Sequence, residues 1–350
     1  MQTIKAIGYQ DNLPIDNEQA LQDITLDKPT ASGHDIVVEV KAISVNPVDY
    51  KIREARPAPE GEYAVIGWDA AGIVTAIGDE VSLFSVGDKV YYAGDLTRSG
   101  SNAEYQLVDE RIVGHMPTSL SFAEAAALPL TTITAWEMLF DRLQVPVSDN
   151  LKTENVADAN DVSVLVIGAA GGVGSILTQL LKVRTSATII GTASRDESVQ
   201  WLKDLGADHV INHRNPLSDE LQKTGITEVD YVVSLNNTEE HYEEIIKCLK
   251  PQGKLGLIDD PAALDVLPLK TKSLSLHWEF MFARSMFNTP DMIEQHHLLN
   301  AVATLIDAGE IKTTVAHNLG TITAEHLRSA HQMLENRQAH GKVVLEDWLV

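Results

Sequence analysis

A single cysteine, Cys248, excludes an internal disulfide, so the chain is expected to work in a reducing compartment, the cytoplasm. Cys248 lies in a helical stretch, where buried packing is its default role. Basic residues are scarce: 27 Lys and Arg stand against 50 Asp and Glu, a formal charge of −23. That balance opposes binding to nucleic acid or anionic membrane, so any anion site must be locally basic. No run of about 20 apolar residues is present to cross a bilayer, and Met1-Gln2-Thr3-Ile4-Lys5-Ala6 lacks the apolar core of a secretory signal. The 12 histidines fall in no metal-binding spacing, and the adjacent His296 and His297 read as solvent-exposed. Repeats and low-complexity tracts are missing too. What remains is a globular chain of 350 residues, 44% hydrophobic, long enough for two domains.

The most informative stretch present is Val162 to Ser175, an apolar strand running straight into Gly168-Ala169-Ala170-Gly171-Gly172-Val173-Gly174. Gly171, Gly172 and Gly174 allow a sharp turn and close backbone approach, and the N-terminus of the following helix attracts phosphate. Alternating strands and helices follow. Helical spacing at Ile176, Leu177, Leu180 and Leu181 leads to a strand at 187–192, a helix at 198–205 ended by Gly206, and a strand at 209–212. A short helix after Pro216, a strand at 231–235, a helix at 239–249 and a Pro251-Gln252-Gly253 turn into a strand at 254–258 complete the series. The pattern is α/β, a doubly wound parallel sheet, with a dinucleotide at the carboxyl ends of its strands, near the loops after residues 168, 192, 212, 235 and 258.

The second of these strands ends in Thr192-Ala193-Ser194-Arg195, with no Asp or Glu to accept from ribose hydroxyls. A hydroxyl followed by a guanidinium suits a 2′-phosphate, which favours NADPH over NADH. The alternative is that Ser194 and Glu197 form a capping box and Arg195 pairs with Asp196.

Residues 1–125 have a different texture, with short runs such as Asp35 to Ile43 and Gly72 to Gly78 between Gly, Pro and Asp turns. This is a β-rich domain. Helical periodicity returns at 122–128 and 134–143, a polar loop follows at 146–161, and residues 126–275 hold the dinucleotide-binding domain. Residues 276–350 are expected to return to the first domain through the strand-like Gly341-Lys342-Val343-Val344-Leu345. The stretch His277 to Phe282 suggests a lipophilic pocket wall, a subunit contact or core packing.

Together these segments resemble the medium-chain dehydrogenase/reductase superfamily, in its zinc-independent quinone oxidoreductase branch. The resemblance covers essentially the whole chain and rests on Val45 to Arg53, Gly67 to Gly72, Val86 to Val90, Ala127 to Thr131, Ala169 to Gly174 and Gly341 to Leu345. It implies a GroES-like β-rich catalytic domain joined to a Rossmann domain, an active site in the cleft between them, NADPH as cofactor, and a homodimer or dimer of dimers. Cofactor roles carried over fall on the turn Ala170 to Gly174, that is Ala170, Gly171, Gly172, Val173 and Gly174, on Ser194 and Arg195 at the 2′-phosphate, and on Thr134, Asn236 and Lys342. His213 stands where relatives often have a phosphate-contacting Tyr.

In zinc-dependent members a Cys matches Asn46 and a His matches Trp68, and a four-cysteine lobe has no counterpart in a chain with one Cys. No metal is therefore expected. Alcohol oxidation leans on a Lewis acid, whereas quinones and α,β-unsaturated carbonyls delocalise the charge that hydride brings. The resemblance implies that the loop from Asn46 to Lys51 faces the nicotinamide, which makes it the source of catalytic candidates: Asn46 donating to the acceptor carbonyl, Lys51 stabilising charge, Tyr50 lining the pocket or delivering a proton. Against these roles, Asn46 before Pro47 shapes a turn, Tyr50 packs, and Lys51 pairs with Asp49 or Glu54. Two other functions stay open: a crystallin-like NADPH-binding protein with little turnover, and a dehydrogenase of a simple alcohol.

Overall fold

The computed structural model describes residues 2–148 and 162–349. The expected loop at 146–161 therefore lies, from residue 149 on, outside the described residues. The chain forms two compact units, Met1–Ile133 with Phe282–Val350, and Thr134–Met281.

The first unit begins with a ribbon of β1 (Thr3–Gly8) and β2 (Gln22–Asp27), then β3 (Asp35–Val45), β4 (Ala70–Ile77), β5 (Lys89–Tyr92), β6 (Tyr105–Asp109) and β7 (Val113–His115). Between β3 and β4 runs α1 (Pro47–Ala55). Asn46 is its N-cap and Pro47 takes the first helical position, where a missing N–H costs nothing. After β7 come α2 (Phe122–Ala126), capped reciprocally by Ser121 and Glu124, and α3 (Pro129–Trp136). The expected domain boundaries after residues 125 and 275 fall a few residues before those of the compact units, and the first unit ends inside α3.

The second unit alternates β8 (Ser163–Ile167), α4 (Gly172–Arg184), β9 (Thr188–Thr192), α5 (Asp196–Asp204), β10 (His209–Ile211), α6 (Leu217–Lys223), β11 (Val229–Ser234), α7 (Thr238–Cys248), β12 (Leu249–Leu257) and β13 (Ser275–Trp278). Its sheet has the order β10-β9-β8-β11-β12-β13, every pair parallel. Strand order reverses between β8 and β11, the place where doubly wound sheets bind ligands. Leu165, Ile190, Val232, Ile245 and Leu255 are fully buried between strands and helices. Cys248 joins them, and burial pushes its thiol up to about 12.

Three elements differ from the sequence expectation. The turn at Pro251 is a bulge within β12: Leu249 already pairs with Val229, and Gln252 takes a left-handed φ of 67° before Lys254 pairs with Tyr231. The helix expected at 134–143 stops as α-helix at Trp136 and continues as a π-helical turn, Glu137–Arg142. There, buried Glu137 meets buried Glu279, whose second neighbour is Arg142, with Nε donating to Oε2 at 2.8 Å. Finally, β13 occupies an unanticipated sheet edge; Trp278 and Phe280 are half-exposed there, while Met281 and Phe282 are buried.

The chain then returns through α8 (Ala283–Met286), α9 (Glu294–Asp307), β14 (Val315–Asn318), α10 (Ala324–Glu335) and β15 (Lys342–Glu346). The closing strand rejoins the first unit as expected: β15 lies antiparallel to β3, with Val343 opposite Val45 and Leu345 opposite Ile43. The sheet reads β14-β15-β3-β4-β5-β7, with β6 on β3. His296 corrects the expected exposure. It is buried on α9, with Nδ1 2.6 Å from the Val113 carbonyl and Nε2 2.9 Å from the Asn300 amide, while His297 beside it is exposed. Both ring nitrogens of His296 serve packing.

Candidate functional site

At the end of β8 the chain turns through Gly168, whose φ of 78° is left-handed and whose N–H donates to Thr192 Oγ1 at 3.1 Å. A Cβ at Gly168 would stand 2.8 Å from Asn236 Oδ1. Gly171 caps α4 in an extended conformation, and a Cβ there would meet nothing closer than 3.4 Å. Gly174 is the steric necessity: its Cβ would lie 2.3 Å from the Ala169 carbonyl oxygen, because the helix rests directly on the turn. The first-turn N–H groups of α4 have no intrahelical acceptor, and the helix dipole adds positive potential at that end. This cradle fits a pyrophosphate.

Four loops carry the cofactor candidates of this unit. Ala170 to Gly174 follow β8, Ser194 and Arg195 follow β9, His213 follows β10 and Asn236 follows β11, so one end of a single sheet gathers them. Ser194 is half-buried and Arg195 exposed; α5 starts at Asp196 with Arg195 as its N-cap, so Ser194 stands one residue outside the cap. Burial, then His241 at 6.3 Å between ring centroids, then Arg214 lower the His213 pKa, which leaves a neutral ring at pH 7. Arg195 adds weakly in the same direction. Thr134 is buried on α3.

The catalytic candidates lie in the first unit, where the chain builds a buried polar cluster. Asn46, Asp49, Asp69 and Lys342 are each at most 3% exposed. The Lys342 ammonium is held by Asn46 Oδ1, by Asp69 Oδ2 at 2.8 Å and by the Val45 carbonyl at 3.3 Å. Asn46 Nδ2 donates to the same Asp69 Oδ2 at 2.8 Å, and the Leu130 N–H donates to Asp69 Oδ1 at 2.7 Å. Burial raises the Asp69 pKa, but the Lys342 charge and the donors from Asn46, Lys342 and Leu130 oppose it. With both oxygens already accepting, Asp69 stands as a carboxylate in a complete ion pair. Asp49 accepts the Asn46 backbone N–H, and burial pushes it up to about 7.

Asn46 and Lys342 are thus brought together, Lys342 with contacts in the first unit rather than among the strand ends that gather the other cofactor candidates. Tyr50 is half-buried and Lys51 exposed on α1. Sequence reasoning passed over Asp69, although a signal was available: an acidic residue directly before the apolar run Ala70-Ala71-Gly72-Ile73-Val74 needs a buried partner.

Zinc does not fit these residues. Asn46 offers only a carboxamide oxygen, already taken by an ammonium, and the buried indole of Trp68 spends its N–H on the Asp95 carbonyl at 3.3 Å. Among the described residues no group of three or more His, Cys, Asp or Glu is placed to hold a metal ion.

Two family models match: an alcohol dehydrogenase GroES-like domain over residues 32–134 and a zinc-binding dehydrogenase domain over residues 205–345. A zinc-type alcohol dehydrogenase-like protein of Staphylococcus aureus is 41% identical over 348 residues, covering 98% of this chain and 99% of its own. A 2-methylene-furan-3-one reductase of Solanum lycopersicum is 34% identical over 228 residues, covering 61% of this chain and 52% of its own. Among solved structures, a Rhizobium etli protein assigned provisionally as a zinc-dependent alcohol dehydrogenase superposes with a TM-score of 0.93 at 50% identity over 100% of both chains. The Escherichia coli quinone oxidoreductase complexed with NADPH superposes with a TM-score of 0.76 at 25% identity over 99% of this chain and 100% of that one.

The fold and the dinucleotide cradle define an NAD(P)-binding oxidoreductase. The chain belongs to the medium-chain dehydrogenase/reductase superfamily, among the zinc-type alcohol dehydrogenase-like proteins.

Proposed function

We propose that the chain is an NADPH-dependent reductase of quinones or α,β-unsaturated carbonyls that works without zinc. The observation that carries this reading is the Asn46–Asp69–Lys342 cluster, where an ammonium fills the polar hole and, among the described residues, no group of three or more His, Cys, Asp or Glu converges on a metal site. Bound NADPH supplies the hydride. The N–H groups at the start of α4 hold the pyrophosphate, and Ser194 with Arg195 takes the 2′-phosphate through charge-assisted bonds. Thr134, His213 and Asn236 complete the cofactor contacts. Asn46 donates to the acceptor oxygen, Lys51 stabilises its charge and Tyr50 lines the pocket or passes a proton; an enolate or hydroquinone also takes its proton from water. The reductase of Solanum lycopersicum and the quinone oxidoreductase of Escherichia coli support this acceptor class.

The test is steady-state NADPH oxidation against 1,4-benzoquinone and 2-hexenal, with NADP⁺-linked ethanol oxidation in parallel. Turnover with a conjugated acceptor and none with ethanol is the expected result. Tight NADPH binding without turnover on either acceptor would instead mark a crystallin-like binding protein. The open edge of β13, with Trp278 and Phe280 half-exposed, supports a homodimer, which sedimentation would show as twice the 38.2 kDa chain mass.

A further inference from the structure

We propose that Lys342 and Asp69 are positioning residues that fix which way the Asn46 carboxamide faces, and that the Lys342 ammonium strengthens the second Nδ2 N–H as a donor. This rests on the reductase reading above.

The cluster admits one orientation of the amide. With Oδ1 on the Lys342 ammonium and Nδ2 on the Asp69 carboxylate, both ends of Asn46 meet opposite charge. A flipped amide would set NH₂ against an ammonium and a carbonyl oxygen against a carboxylate, two repulsive contacts in a site shielded from water. The ammonium has three N–H donors and three oxygens around it, from Asn46, Asp69 and Val45, so its own requirements are met. Asp69 is fixed in turn by the Leu130 N–H at the start of α3. Lys342 is held from below by strand pairing, since Val343 faces Val45 across β15 and β3 and Ser44 Oγ donates to the Val343 carbonyl at 3.0 Å.

The consequence falls on the second hydrogen of Asn46 Nδ2. The first is spent on Asp69 at 2.8 Å; the second reaches only the Ser44 carbonyl at 3.5 Å, the outer limit of a hydrogen bond. An ammonium on Oδ1 draws electron density through the amide, so that loosely held N–H is polarised toward any incoming oxyanion. Here the positive charge is part of the chain and acts through an amide.

The experiment uses the full chain and the variants Lys342→Met, Lys342→Arg, Asp69→Asn, Asn46→Ala and the double variant Lys342→Met/Asn46→Ala. Two readouts are taken: kcat and KM with 1,4-benzoquinone and 2-hexenal, and the side-chain amide NMR resonances of Asn46, assigned by their loss in Asn46→Ala. Lys342→Met is expected to lower kcat by about 10- to 100-fold while KM for NADPH changes less than about twofold, and Lys342→Arg to recover most of kcat. The double variant should be no slower than Asn46→Ala alone, because the lysine acts through the amide. Asn46 resonances should move in Lys342→Met and Asp69→Asn and stay near the wild-type position in Lys342→Arg. Additive losses in the double variant, or Asn46 resonances unmoved by Lys342→Met, overturn the proposal. Should Lys342→Met not fold, Asp69→Asn and Lys342→Arg carry the same two readouts. If the wild-type chain turns over no acceptor, the reductase reading falls and the NMR readout alone decides the positioning.

Discussion

The glycine turn of the second unit and the buried cluster of the first both recognise charge, yet they are written into the chain in opposite ways. The turn is local: Ala169 to Gly174 are consecutive, and the helix they start supplies its own positive end. The cluster joins Lys342 to Asp69 across 273 positions and to Asn46 across 296. A local device is made of backbone and tolerates little change in shape. A long-range device is made of side-chain charges and tolerates little change in sign. Each mode of failure distinguishes one from the other.

The largest effect is expected where a buried charge loses its partner. Asp69→Ala leaves the Lys342 ammonium, 3% exposed, without its carboxylate, and should destabilise the first unit by about 3–5 kcal/mol in chemical denaturation. An unchanged midpoint would mean the ion pair holds nothing together. Next comes shape: Gly174→Ala places a Cβ where only 2.3 Å separates it from a carbonyl oxygen, and calorimetry should find NADPH at least ~100-fold weaker, ~2.7 kcal/mol. Wild-type affinity in that variant would break the contrast between the two regions. Arg195→Ala should cost NADPH about 1–3 kcal/mol and leave NADH nearly untouched; equal loss for both nucleotides would remove Arg195 from the 2′-phosphate.

The smallest effect is a pH slope. Burial first, then the neighbouring Glu137 carboxyl, hold Glu279 above the ordinary carboxylate range, with Arg142 opposing. The folded state keeps a proton that the unfolded chain releases above about pH 4.5, so this pair's contribution to stability is full below that pH and is lost as the pH rises through the folded pKa. Glu279→Gln should flatten the decline between neutral and mildly alkaline pH. Parallel dependence of stability on pH for variant and wild type would contradict the proton kept on Glu279.

The same division explains what could be read from the chain beforehand. The parallel sheet, its glycine turn and the return of Gly341 to Leu345 to the first unit all follow from patterns a few residues long, namely apolar runs, cap residues and turn glycines. Strand β13 escaped because Ser275-Leu276-His277-Trp278 alternates over only four residues, too short a run to mark a strand; its strand character comes from pairing with Lys254 to Leu257. The bulge at Pro251 escaped because Leu249 is drawn into the sheet by Val229, which no local rule anticipates. His296 looked exposed beside His297, yet a carbonyl of β7 buries it. Lys342 was assigned by motif to the cofactor, and its acidic partner emerged only when the closing strand was laid against β3. Asn46 was found for its place in a loop, while the charges that orient it were not.

The most direct measurement is NADPH oxidation with 1,4-benzoquinone by chelator-treated protein whose zinc content is determined on the same sample. A metal-independent reductase turns over at the untreated rate with zinc far below one atom per chain. Loss of activity on chelation, restored by zinc and accompanied by ethanol oxidation, would contradict it.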